Sequence, residues 1–268
     1  MRKHRVRALL MGGQACVLYG AAEFSRNLDF VVLAEAANMA RLRKALEELQ
    51  AETIAVPSFD LQHLRRGHSV HFRCRHPEAS RMRVDIMARM RGVDSFAKLW
   101  KRRTTLTLDD GGRIELLSLP DLVRAKKTQI DKDWPMIRRL VEANFFGDRA
   151  KPTAARVRFW FRELRTASLL IDLAARYPEL CRKEARKRTL LSLAQDGNLR
   201  DLERAVLSEE AVERERDKEY WPPLREELER FRHARFSGRG VSKRGRLNPD
   251  NEQRGPEGEA IARKARPT

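Results

Sequence analysis

The first half of the chain alternates short apolar runs with longer amphipathic segments. The apolar runs over residues 7–11 and 28–33 have the length of buried strands, whereas residues 36–50 repeat their apolar positions at helical spacing. The same two patterns predict further strands over 53–56, 69–74, 82–88 and 114–117, and helices over 14–22, 119–129 and 134–146. This alternation predicts an α/β fold, in the broad sense that includes α+β, with a small, twisted, mixed sheet and flanking helices.

The second half of the chain carries helical patterns without strand patterns. Predicted helices cover 154–177, 180–193, 198–220 and 224–235, and they form either a subdomain packed on the first half or an arm that binds a partner. Toward the C-terminus Gly, Pro, Lys and Arg dominate without periodicity, which is typical of disorder. We therefore predict an α/β domain over 1–148, a helical region over 149–235 and a disordered basic tail over 236–268.

Candidate chemistry lies around the first two predicted strands. Asn27 and Asp29 are two residues apart, so on an extended strand both side chains project from one face, at the mouth of an otherwise buried segment. Gly12 and Gly13 follow the first strand, and backbone N–H groups at the start of the next helix could hold phosphate. The pattern favours a metal–phosphate site.

Several other conspicuous residues have structural explanations as well. Asp85 interrupts an apolar strand, and a buried carboxylate is costly without a metal or a partner. Arg83 lies on the same face of that strand, so an ion pair between the two is the structural alternative. Trp134, Trp160 and Phe161 stand at helical spacing and are more typical of a core than of a platform for stacking bases.

Together these segments resemble the nucleotidyltransferase-like superfamily, especially the bacterial abortive-infection and toxin-type nucleotidyltransferases. The glycine pair at 12–13 matches the superfamily's glycines after the first strand, and SRNLD at 25–29 occupies the place of its acidic pair with the residues that lead into it. MRVDIM at 82–87 matches the strand with the third carboxylate. The resemblance continues through LSLPDL at 117–122, KK at 126–127 and DKD at 131–133, so it covers about residues 5–146.

The resemblance implies a nucleoside triphosphate (NTP) as substrate and Mg²⁺ or Mn²⁺ as cofactor. It assigns catalysis to Asp29, Asp85 and Asn27, metal binding to Asp29 and Asp85, and nucleotide binding to Gly12, Gly13, Ser25, Arg26 and Lys127. The expected reaction moves a nucleoside monophosphate to a hydroxyl on RNA, including tRNA, on a protein or on a small molecule. A further implied partner is an antitoxin-like protein.

Asn27 departs from the superfamily pattern, in which an acid stands at this position. Mg²⁺ prefers charged oxygen ligands, and a two-metal reaction needs carboxylates that bridge both ions. Asn27 offers one neutral carbonyl oxygen, so a second ion would be weakly bound. The sequence therefore leaves two functions open: a transferase with a weakened second metal site, or a catalytically inactive protein that binds nucleotides or nucleic acid.

The composition adds information about partners and compartment. The net charge of +18 and the isoelectric point of about 10.6 favour polyanions such as RNA or DNA, or an acidic protein, although an Arg-rich composition is also typical of a GC-rich genome. Three widely spaced cysteines do not suggest a disulfide framework, so we expect a reducing cytoplasm. The sequence shows neither a signal peptide nor a membrane span, and no membrane partner is expected.

Overall fold

The computed structural model of this chain describes residues 1–109 and 111–243. Met1–Phe231 forms one compact unit, which contains the sheet and the helices that cover it. A second unit begins at Arg232, and its described part, as far as Lys243, is helical. No helix in the described residues is both long and apolar enough to cross a membrane.

The sheet contains seven strands in the described part of the chain. They are β1 (Ala8–Met11), β2 (Asn27–Val32), β3 (Glu52–Thr53), β4 (Val70–Arg73), β5 (Arg83–Met87), β6 (Thr104–Thr107) and β7 (Arg113–Leu116). Their order across the sheet is β3-β4-β5-β2-β1-β7-β6. The pairs β2–β5 and β1–β7 are parallel and the other pairs are antiparallel, so the sheet is mixed, as the sequence predicts.

Helices connect and flank these strands and then make up the described part of the second half of the chain. The first six are α1 (Gly12–Leu18), α2 (Ala36–Glu48), α3 (Leu61–Arg66), α4 (Phe96–Lys101), α5 (Leu119–Ala125) and α6 (Asp133–Asp148). The remainder are α7 (Ala154–Glu163), α8 (Ala167–Arg176), α9 (Pro178–Ala185), α10 (Leu191–Gln195), α11 (Leu199–Tyr220) and α12 (Pro222–Lys243). The predicted α/β fold with a helical C-terminal region is therefore confirmed.

Buried apolar residues form two clusters. In one cluster Val84 and Ile86 of β5 pack with Met39 and Leu42 of α2. Asp85 stands between those two strand residues, so its side chain projects from the opposite face of the sheet. The other cluster runs from β1 through α6 to α11, so sheet and helical region share one core. The predicted core position of Trp134, Trp160 and Phe161 is confirmed, because all three belong to this cluster. The domain boundary at 148 stays a prediction.

Several elements differ from the sequence prediction. The helix predicted over 154–177 is two helices, because Leu164 leaves the helical conformation (φ −59°, ψ 137°) and is itself buried. The strand β6 and the six-residue helices α3 and α4 were not predicted. α12 extends to Lys243, beyond residue 236 where the disordered tail was predicted to begin. The rest of that predicted tail, residues 244–268, lies outside the described residues.

Candidate functional site

All the predicted site residues except Lys127 line one cleft of about 740 Å³. The floor of this cleft lies where β1 ends and where the parallel strands β2 and β5 begin. Residues that precede β2 form one part of its wall, and residues from α5 to α6 form another. The cleft is therefore built from segments that lie more than a hundred residues apart in sequence.

The glycine pair allows the chain to pass close to two of the polar side chains. Gly12 has φ +66°, a left-handed conformation that favours glycine. A Cβ atom added there would lie 2.6 Å from Cγ of Asp29, and one added at Gly13 would lie 2.6 Å from Oγ of Ser25. The hydroxyl of Ser25 donates a hydrogen bond to the backbone carbonyl oxygen of Asn27, at 3.2 Å. Both glycines are explained by this close approach.

Strand register places the carboxylates side by side. Asp29 pairs with Asp85 across the parallel strands β2 and β5, and Asp85 pairs with His71 across the antiparallel strands β5 and β4. Neighbouring strands lie about 4.8 Å apart, and paired residues project from the same face. One row on the sheet surface therefore carries Asp29, Asp85 and His71, and the neighbouring row carries Asn27 and Arg83.

Asp85 forms hydrogen bonds with His71 and Arg83. Nδ1 of His71 lies 2.8 Å from Oδ1 of Asp85, and because a carboxylate only accepts hydrogen bonds, Nδ1 is the donor in this contact. Nε of Arg83 donates to the same oxygen, also at 2.8 Å, so the ion pair proposed as the structural alternative is present. Nη2 of Arg83 lies 3.1 Å from Nδ1 of His71. Burial alone would raise the pKa of Asp85, but the hydrogen bonds from His71 and Arg83 outweigh it and hold the pKa below its usual range.

Asp29 has the opposite electrostatic environment. Burial and then the negative charge of Asp85 raise the pKa of Asp29, and Lys126, the Gly13 amide and Arg83 only partly offset this effect. Two carboxylates are thus brought together where neither is fully solvated. A cation bound between them would relieve their repulsion.

Lys126 faces the cleft instead of Lys127. Nζ of Lys126 lies 2.8 Å from Oδ1 of Asp133, and Thr128 donates to Oδ2 of the same carboxylate at 2.7 Å. Lys127 is not among the described residues that line the cleft, and its Nζ lies 2.7 Å from Oε2 of Glu163 on α7. Side chains of consecutive residues at a helix end point in different directions, so only one of the two lysines reaches the site.

Two other cations of the cleft are available to a ligand. Arg26 and Lys132 both line it and both are exposed. Neither has a carboxylate within ion-pair distance among the residues that the structure describes. Their charges could therefore meet phosphate oxygens without breaking an existing ion pair.

The sequence did not predict the roles of His71 and Asp133. His71 acts on the site only through its register with Asp85, and no local pattern indicates which strands pair. Asp133 lies in the charged segment included in the resemblance, but its pairing with Lys126 depends on how α6 follows α5.

The donor set of the cleft is small. In residues 1–109 and 111–243 no group of three or more His, Cys, Asp or Glu side chains could hold a metal ion. Asp29 and Asp85 remain as two carboxylates on one face, and neither contact to Asp85 uses its Oδ2. Mg²⁺ is commonly bound by one or two carboxylates together with substrate phosphates and water. This pair fits one such ion.

Comparison with known proteins does not identify this chain. No family model matches the sequence, and the search of curated proteins also gave no match.

Proposed function

We propose that this chain is a metal-dependent nucleotidyltransferase, which moves a nucleoside monophosphate from an NTP to a hydroxyl acceptor on RNA, a protein or a small molecule. The observation that carries the proposal is the pair Asp29 and Asp85, in register on neighbouring strands and beside the turn at Gly12. The resemblance stated from the sequence supports it independently, because its spacing singled out the same residues.

Mg²⁺ or Mn²⁺ fits the two carboxylates, with Asn27 as an auxiliary ligand. Asp29 and Asp85 supply charged oxygen ligands, and Asn27 adds at most a neutral oxygen from the same strand face. When bound, the ion would offset the negative charge of the phosphates and of the leaving group. A second ion would have no carboxylate of its own, so we expect slow transfer that depends on the substrate phosphates for further ligands.

The remaining residues of the cleft would bind and orient the triphosphate. The turn at Gly12 and Gly13 lines the cleft next to Asp29, whose carboxylate already interacts with the Gly13 amide. Arg26 and Lys132 carry positive charges without carboxylate partners in the described part of the chain. Lys126 adds a charge that Asp133 keeps in place. Catalysis would come mainly from positioning and from this charge complementarity.

The bond changes follow the chemistry of nucleotidyl transfer. The acceptor oxygen forms a bond to the α-phosphorus while the bond from that phosphorus to the β-phosphate oxygen breaks. Pyrophosphate leaves with the electron pair, and the hydroxyl proton passes to solvent. The products are the nucleotidylated acceptor and pyrophosphate.

Label transfer tests the proposal. α-Labelled ATP, CTP, GTP and UTP are incubated with Mg²⁺ or Mn²⁺ and with total RNA or the protein itself as acceptor. We expect wild-type protein to transfer label and Asp29→Ala to lose transfer while it keeps its fold. Asp172→Ala is the matched control, because Asp172 is exposed on α8 and outside the cleft. Equal transfer by Asp29→Ala and Asp172→Ala would refute the assignment.

A second candidate is a catalytically inactive protein that binds nucleotides or nucleic acid in the same cleft. Two observations favour it: Asn27 stands where an acid is expected, and both His71 and Arg83 already occupy Oδ1 of Asp85. This candidate predicts NTP or RNA binding that survives chelation of divalent ions, without release of pyrophosphate.

The variant Asn27→Asp separates the two candidates. Transfer that appears only in Asn27→Asp would identify an inactive relative that kept its binding cleft. For RNA, including tRNA, binding through phosphates should weaken steeply as salt increases, because counterions are released on binding. Salt-independent binding would contradict RNA as the ligand of this basic chain.

We also propose a cytoplasmic protein and an antitoxin-like partner. All three cysteines are free and buried, which suits a reducing compartment. The partner follows only from the resemblance to toxin-type nucleotidyltransferases. The partner is tested by co-purification of the untagged chain with the product of a neighbouring gene. A co-purifying protein that abolishes label transfer would support the proposal, and one that leaves label transfer unchanged would contradict it.

A further inference from the structure

The mouth of the cleft carries two exposed apolar side chains. Phe24 is 69% exposed and Ile130 is 48% exposed, and both line the cleft that contains Asp29 and Asp85. Phe24 lies three residues before the start of β2, and Ile130 lies between α5 and α6. Large apolar side chains left in water lose the free energy that burial would give them. Their position beside the charged side chains of the cleft favours a ligand with an apolar part as well as a charged part.

The surroundings of Phe24 indicate the chemistry of the apolar part of this ligand. The guanidinium of Arg26 lies 5.8 Å from the ring centroid of Phe24, and the ring is still largely uncovered. A flat group could therefore stack on the ring while its charged end meets Arg26 and Lys132. An NTP has this combination: a planar base and a polyanionic tail.

We infer that Phe24, with Ile130, forms the site for the nucleobase of the NTP. This inference rests on the proposed function, since it concerns the same cleft. Apolar contact and stacking would supply the base affinity, because every base has a π-face. Because stacking strength depends on the area of the base that covers the ring, the site should bind purines more tightly than pyrimidines and should discriminate little between ATP and GTP.

Binding measurements with three probes test the inference. ATP, CTP and inorganic tripolyphosphate are titrated with Mg²⁺ into wild-type protein and Phe24→Ala by calorimetry. We expect Phe24→Ala to weaken ATP binding by about 5- to 150-fold, which corresponds to the loss of one base–aromatic stacking contact. CTP should lose less affinity, and tripolyphosphate should bind unchanged. Phe24→Trp should retain ATP affinity, because it preserves the aromatic face.

Phe146→Ala is the matched control. Phe146 is also an exposed phenylalanine, at 51%, and the guanidinium of Arg149 lies 5.2 Å from its ring centroid. It lies on α6 and does not line the cleft. Phe146→Ala should therefore bind all three probes as the wild-type protein does. Thermal unfolding checks that both alanine variants are folded, as their exposure predicts.

The outcomes separate this inference from the proposed function. ATP binding by Phe24→Ala equal to that of the wild-type protein would overturn the nucleobase site and leave the phosphate site intact. Equal loss of ATP and tripolyphosphate binding would also overturn it, because Phe24 would then act on the phosphate end. Absence of ATP, CTP and tripolyphosphate binding by the wild-type protein would refute the proposed function and the nucleobase site with it.

Discussion

Replacement of Gly12 by alanine should disable the cleft with only moderate loss of stability. Gly12 has φ +66°, and an alanine in this left-handed conformation costs about 1–2 kcal/mol. The added Cβ would lie 2.6 Å from Cγ of Asp29. Carbon atoms in contact lie about 3.5–4.0 Å apart, so the Asp29 carboxyl group must move by roughly 1 Å. A displacement of that size costs about 100-fold in rate at a reacting centre.

Gly20→Ala separates backbone strain from displacement of the carboxylate. Gly20 has φ +74°, and a Cβ atom added there meets nothing within 4 Å. Both variants should lose the stability that the left-handed backbone costs, about 2–4 °C in melting temperature for each kcal/mol, and Gly12→Ala should lose more because its Cβ also displaces Asp29. Only Gly12→Ala should lose label transfer and Mg²⁺-dependent ATP binding. Equal activity of the two variants would refute the requirement for Asp29 at this position.

Three further predictions concern carboxylates that are partly or fully buried. Asp29→Asn should raise the melting temperature at pH 7. The pKa of Asp29 is raised in the folded protein, so the ionised carboxylate lowers stability as the pH rises through that pKa, and the neutral Asn removes this effect. Asp85→Asn should lower stability by roughly 2 kcal/mol, since it weakens the hydrogen bonds from Arg83 and His71. The pKa of Asp85 is lowered in the folded protein, so the stability that this carboxylate contributes is present above its unfolded pKa and is lost in acid. Thermal unfolding from pH 3 to 7 checks both signs, and shifts in the same direction would contradict the electrostatic account. Asp217→Ala should lower the free energy of urea unfolding by about 3 kcal/mol, because the buried carboxylate accepts hydrogen bonds from Nε of Arg91 at 2.8 Å and from the Gln129 backbone amide at 2.9 Å. A loss below about 1 kcal/mol would show that water satisfies these partners in the variant.

Local patterns predicted the fold class, and they failed where the local signal is weak. The residues of β6, Thr104–Thr107, alternate only one apolar side chain with threonines, and the strand lies at the edge of the sheet. α3 and α4 have six residues each, too few for a helical period to stand out. The break between α7 and α8 has no Gly or Pro, and its apolar Leu164 continues the pattern of the helix it ends. These features are set by packing.

Local spacing also placed most residues of the candidate site, because period-two alternation fixes the face of a strand. Asn27 and Asp29 share a face by spacing alone. The position of His71 beside Asp85 depends on the register of two strands, which is a tertiary property. The choice of Lys126 over Lys127 depends on how the chain leaves α5, where Lys127 forms an ion pair with Glu163 of the helical region.

The helical region supports the wall of the cleft that contains Ile130. The segment between α5 and α6 is tied to α7 by the ion pair of Lys127 with Glu163, at 2.7 Å. It is tied to α11 by the hydrogen bond from the Gln129 amide to Asp217. Because Asp217 is almost fully buried, this second contact is shielded from water and holds the backbone next to Ile130. Residues after 148 therefore help to determine the geometry of the cleft, although the residues that line it all precede them.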